Sequence, residues 1–201
     1  MLPTLQRFML IGVIAGMSFF SAAGQSPVTD FLSVPGPVQF NNNSYSLSWS
    51  AHPAADFFKQ EYIPRGENPD SYKTMLLLDA VTGKKDIKTV LAAKVAELRK
   101  MKATNPIVQY EVISNAATGE YMLDFILSAN APDGSIAVIE RNVYRYSNSI
   151  AKNGLKIVLL FGVTSRAYGK DATPFLTALK TTRKDLVNKV ALFQLPLVQI
   201  K

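Results

Sequence analysis

The chain contains no cysteine and a single histidine, His52, and these two scarcities remove more chemistry than any motif adds. Without thiols there is no disulfide framework, no Cys-ligated zinc, no cysteine nucleophile and no site for lipid attachment behind a leader. With one imidazole, neither a His-His metal pair nor the histidine zincin motif can exist, and a Ser-His-Asp triad would need His52 as its base. His52 stands before Pro53 in what reads as a turn, where a turn-stabilising or solvent-exposed side chain is the simpler assignment. The sequence also lacks G-x-S-x-G, a Walker A loop and G-x-G-x-x-G, which leaves Gly83-Lys84-Lys85 as an ordinary turn. Asp133-Gly134 is likewise a turn, because the alternating acidic ligands of a calcium loop are missing around it. No cofactor or metal is implied.

Charge is nearly absent from the first 29 residues, where Arg7 stands alone. It precedes the apolar run 8–20, which gives way to Ser21-Ala22-Ala23-Gly24, the order of an export signal: basic, apolar, then small and cleavable. Cleavage after Ala23 is the first choice and after Gly24 the second. The competing reading is a membrane anchor, but the run is shorter than the roughly 20 residues that span a bilayer. The expectation is an exported protein, periplasmic or secreted, with no stable membrane insertion after cleavage.

The remaining chain of about 177 residues is long enough to hold a core without staples, burying roughly 70% of the surface that its unfolded form exposes. With 48% apolar and 18% charged residues it is globular rather than disordered. Loss of Arg7 leaves 21 Lys and Arg against 15 Asp and Glu, about +6. That balance favours an anionic envelope component, such as lipopolysaccharide, phospholipid or an acidic glycan, or an envelope protein. Lysines 84, 85, 88, 94, 100 and 102 are more simply the solvated face of one helix. Nucleic acid is discounted, since an exported chain meets little of it and no basic-aromatic repeat is present.

Residues 25–43, with Pro27, Pro35, Gly36, Pro37 and three asparagines, show no periodicity and read as an arm before the domain. Tyr45, Leu47 and Trp49 alternate with serines as in a half-buried strand, and 56–63 forms a second. Turn formers and a short helical segment near 71–73 precede a strand around 75–78, continuously apolar and so buried on both faces. Asp86 can cap a helix whose Ile87, Val90, Leu91, Val95 and Leu98 share one face, with the lysines and Glu97 elsewhere. Strands are expected at 107–113, 121–128, 136–146 and 156–165, joined by short turns as antiparallel neighbours in a meander. A final helix is expected to open at Thr173-Pro174, with threonine as cap, and to bury Phe175, Leu176, Leu179, Leu186, Val187 and Val190. The fold class expected is therefore α+β: a mainly antiparallel sheet of about six to seven strands flanked by two long helices. The expected division is a signal peptide at 1–23, a flexible leader arm at 24–43 and one domain at 44–201.

The stretch 58–76 contains Glu61-Tyr62-Ile63-Pro64-Arg65-Gly66-Glu67-Asn68 and then Tyr72 and Met75 before the next strand. It resembles a segment of uncharacterised exported bacterial proteins in which a strand ends in E-Y-[IV]-P-[KR]-G-E-[TN]. That group is similar in architecture to the PsbP-like fold, an antiparallel sheet between helices. The resemblance implies a non-catalytic binding or assembly role and carries no catalytic residues.

Two constellations remain. Arg141 and Arg145 share a face of one expected strand, and Arg166 with Tyr168 lies at the exit of the next, so three guanidinium groups could converge to bind carboxylate or phosphate. The alternative is ordinary pairing with Glu111, Asp124 and Glu140. Carboxylates form the other set: Glu61 and Glu67 flank the shared segment, and Asp124 and Glu140 on adjacent strands could meet as acid and base. Tyr45, Trp49, Phe57, Phe58 and Tyr62 read as core rather than as a ligand platform. The function expected is a non-enzymatic binding or accessory role, and the alternative is a carboxylate-dependent hydrolase of a cell-envelope polymer.

Overall fold

The computed structural model describes residues 28–201, so the expected export signal at 1–23 lies outside the described residues. Eight strands form one sheet: β1 (Val38–Phe40), β2 (Asn43–Ala54), β3 (Phe57–Pro64), β4 (Thr74–Val81), β5 (Gln109–Asn115), β6 (Glu120–Asn130), β7 (Ile136–Ile150) and β8 (Lys156–Tyr168). Two helices, α1 (Ile87–Lys102) and α2 (Ala172–Leu192), accompany them. The spatial order is β1-β2-β3-β4-β8-β7-β6-β5, and every neighbouring pair is antiparallel. Two meanders thus meet at β4 and β8, and α1 carries the chain from mid-sheet to the β5 edge.

The α+β arrangement stands, but the sheet has eight strands rather than six to seven. The extra strand is β1, inside the stretch read as a leader arm. Its three residues sit just beyond Pro35 and Pro37, too short a run to show a period of two. The arm is packed as well: Leu32 is fully buried, its amide donates to Gln60 Oε1 at 2.8 Å, and Phe40 is buried in the core. Packing therefore begins well before Ser44.

The sheet curls. Four strand spacings separate β1 from β8, roughly 19 Å across a flat sheet, yet the Phe40 and Phe161 rings lie 5.8 Å apart. The concave side holds α2 and the chain that follows it. Phe193 stacks on Phe161 at 4.1 Å, and Val198 is buried although it lies in no regular element. Backbone bonds hold this tail in place: Gln199 N donates to Leu32 O, and Lys152 N donates to Val198 O. A second core on the opposite face packs α1, through Ile87, Leu91 and Leu98, against Leu123, Phe125, Tyr146 and Val158. The faces separate because successive β residues point to opposite sides.

Local chemistry explains the helix ends. Asp86 caps α1, its Oδ1 accepting from Thr89 N at 2.7 Å, as expected. Helix α2 differs from expectation by starting at Ala172, with Asp171 at the cap position and no side-chain cap bond. Pro174 falls inside the first turn, where its missing N–H costs nothing because the first four helical amides have no intrahelical partner. His52 sits within β2 rather than in a turn, its ring stacked on Phe58 at 4.1 Å.

Candidate functional site

Residues Arg141, Val143 and Arg145 of β7 point to the α2 side, and Glu140, Asn142 and Tyr144 point to the α1 side. Arg141 is almost wholly buried, and its Nε and Nη2 donate to the two oxygens of Asp124, each at 3.1 Å. The same Nη2 donates to the Arg183 carbonyl, in the middle of α2, at 2.7 Å. Arg183 returns across the gap, donating from Nε to Asp124 at 2.7 Å and from Nη2 to Glu111 at 2.8 Å. The bond to Asp124, outweighing partial burial, raises the Arg183 pKa above its ordinary value. Arg145 donates to Glu120 from Nε and Nη2 and to the Phe193 carbonyl from Nη1 at 2.9 Å. Two arginines therefore peg α2 to the sheet, one at mid-helix and one just past its end, where carbonyls lack intrahelical donors.

Arg166 and Tyr168 lie on the other face. Arg166 Nε donates to Glu140 Oε2 at 2.6 Å, and its guanidinium lies 4.1 Å above the Tyr72 ring. Glu140 also accepts from Asn142 at 2.8 Å, Asn142 accepts from Thr164 at 2.7 Å, and Tyr168 donates to the Tyr72 carbonyl at 2.9 Å. Burial is the largest single influence on the Arg166 pKa and lowers it, but Glu140, Tyr72 and Tyr168 together outweigh it and the net shift is upward. The Tyr72 phenol is held above its ordinary range, mainly by burial and then by Glu140. The next layer is closed by Tyr144. A Cβ on Gly162 would fall 2.7 Å from the Tyr144 ring, so glycine is what lets that ring lie across β8.

Four residues expected to converge are thus split two and two by the sheet, and the three arginines do not form one cluster. Each guanidinium is engaged by a carboxylate: Arg141 by Asp124, Arg145 by Glu120 and Arg166 by Glu140. The same parity separates Asp124 from Glu140, so these two cannot act together as acid and base. Glu67 accepts from the Lys73 amide at 2.9 Å and closes its own loop. Among the described residues no group of three or more His, Cys, Asp or Glu side chains could hold a metal.

Arg145 borders an opening. A groove of about 380 Å³ runs between α2 and the β5–β6 hairpin, within the size range of ligand sites. Its walls are Ile113, Met122, Val187 and Ala191, its rim includes Ser114 and Asn188, and the Arg145–Glu120 pair lies along it. The pair is accessible on the groove side, with side chains 15% and 19% exposed. Strand β5 adds a sheet edge beside the groove that has no further strand partner among the described residues. The sequence showed Arg145 but not its partners, because β5, β6 and α2 meet only in three dimensions.

One buried charge went unnoticed in the sequence. Asp79, on the α1 side of β4, is 4% exposed; Lys59 donates to its Oδ2 at 2.6 Å, and its Oδ1 has no hydrogen-bond partner. Burial raises its pKa, partly offset by Lys59 and Lys94. Its signal was an acid inside the apolar run Met75-Leu76-Leu77-Leu78-Asp79-Ala80-Val81, a strand buried on both faces.

No curated protein and no solved structure matches this chain. The likeness to the PsbP-like fold has no support from these comparisons. The model of an uncharacterised family matches residues 32–195, which take in all eight strands, both helices and the groove, and the protein belongs to that family.

Proposed function

We propose that this protein is an exported, periplasmic or secreted binding or accessory protein that holds a partner in the groove between α2 and the β5–β6 hairpin. The observation that supports this reading is the groove itself: apolar walls, a polar rim and one accessible ion pair, beside the β5 sheet edge. Apolar walls with a few placed polar groups suit recognition, because burial supplies affinity and the polar groups set orientation. An edge strand adds backbone donors and acceptors that an extended segment of an envelope protein can pair with.

A photo-crosslinking residue at Asn188, on the groove rim, should capture an envelope protein, and Ala191→Glu should reduce that product at least about tenfold by filling the groove, the loss expected when a well-packed contact is removed. A probe at Thr181, exposed on α2 away from the groove, should not capture it. Equal capture from both positions would place the interface elsewhere.

A further inference from the structure

One end of the molecule combines exposed aliphatic side chains with lysines that form no salt bridge among the described residues. The β2–β3, β5–β6 and β7–β8 turns, the start of α1 and the end of α2 all gather there, because every strand alternates direction. Of the six large hydrophobic residues exposed among the described residues, four lie at this end: Ile150 and Leu155 on the β7–β8 hairpin, Leu192 at the last turn of α2, and Leu197 in the tail. The tail and the hairpin are joined, Lys152 N donating to Val198 O at 2.8 Å, so Leu197 stands beside the hairpin tip.

Charge distinguishes this end from an ordinary patch. Lys84 and Lys88 at the start of α1, and Lys152 and Lys156 on the hairpin, are exposed and form no ion pair among the described residues. The nearby acids are occupied. Asp56 is paired with Lys85, Glu120 with Arg145 and Asp30 with Lys201, and Asp86 is bonded as the α1 cap. What faces solvent is therefore aliphatic tips among ammonium groups, with Lys88 in the field of Asp86 and Lys84, Lys152 and Lys156 outside any salt bridge among the described residues. Phe31 lies 5.8 Å from His52 near the end of β2, so the described chain begins close to this end.

We infer that this end docks reversibly on an anionic lipid bilayer, with Ile150, Leu155, Leu192 and Leu197 entering the interface and the four lysines against the headgroups. Basic groups near an anionic surface and shallow burial of aliphatic side chains act together in such contacts. The contact is peripheral, since no helix among the described residues is long and apolar enough to cross a membrane. The inference rests on the export reading above but not on the groove. Capture from the Asn188 probe and flotation with vesicles are separate readouts, so the two can fail separately.

The test is flotation of the chain beginning at Gln25, which keeps every described strand, helix and core, with vesicles of phosphatidylcholine alone or mixed with phosphatidylglycerol. The protein should float with the mixed vesicles and not with the neutral ones. Binding should weaken in about 0.5 M salt, where screening acts within about 4 Å. Lys152→Ala with Lys156→Ala should lower partitioning roughly 25-fold, about fivefold for each lysine near the surface. Ile150→Ser with Leu155→Ser should lower it at least about tenfold. Both double variants should melt close to the parent, because the replaced side chains are exposed. Failure to float with anionic vesicles, or equal flotation with neutral ones, would overturn the inference. So would dependence on the lysines alone, which would reduce the contact to ionic adsorption without entry of the aliphatic side chains.

Discussion

Asp79 is the side chain most at odds with its surroundings, a carboxylate beneath α1 with one oxygen unpartnered and Lys59 as its one hydrogen-bonded cation. Its pKa is raised on folding, so the folded state holds the proton more tightly than the unfolded chain does. That contribution to stability is present below the ordinary carboxylate range and fades as pH rises through the raised value. Lys59→Met should therefore cost about 3–5 kcal/mol at neutral pH, the usual penalty for leaving one half of a buried pair uncompensated. The cost should shrink as pH falls, because protonation of Asp79 removes the buried charge. Urea unfolding of both proteins across pH measures this, and a penalty independent of pH would mean that Lys59 contributes packing rather than charge. The pairings of Arg141, Arg145 and Arg166 belong to the same scale. Their residue types were legible, but which carboxylate each one meets depended on strand register.

At the scale of elements, α1 shows both what periodicity reveals and what it hides. The stripe of Ile87, Leu91 and Leu98 was legible because apolar residues recur at 3.6-residue spacing and Asp86 supplies a cap. Lys94 was expected among the solvated lysines. It instead falls on the sheet-facing side, 5.7 Å over the Phe125 ring and bonded to Glu97 at 2.9 Å, because a long stem can lie along apolar surface and leave only its tip near water. Leu91→Ala should cost roughly 2–5 kcal/mol, the range for emptying a packed aliphatic site. Lys94→Ala should cost about 1 kcal/mol, the order of a cation-π contact. Thermal melts of the two variants check the phase of the helix, and equal losses would contradict it. Strand β1 is the opposite case, three residues whose strand character comes from pairing with β2 rather than from any pattern of their own.

For the whole molecule, the export proposal predicts that protein recovered outside the cytoplasm begins at Gly24 or Gln25 and carries no lipid, which N-terminal sequencing and intact mass would establish. An N-terminus at Met1 in a membrane fraction would revive the anchor. Composition alone excluded disulfides and thiol chemistry, and chain order alone gave seven of the eight strands and both helices, because each of those runs carries a local signal, whether a period or, in β4, an unbroken apolar stretch. Only the tertiary structure decided which side chains meet. A strand residue faces one side or the other according to odd or even position, and that parity set Arg141 and Arg145 against α2 and placed Arg166 and Tyr168 beyond the sheet. The curl of the sheet, the groove beside α2 and the basic, aliphatic end arise between segments far apart in sequence. Their physical cause is packing of two meanders around two cores, a long-range property that no local window of residues contains.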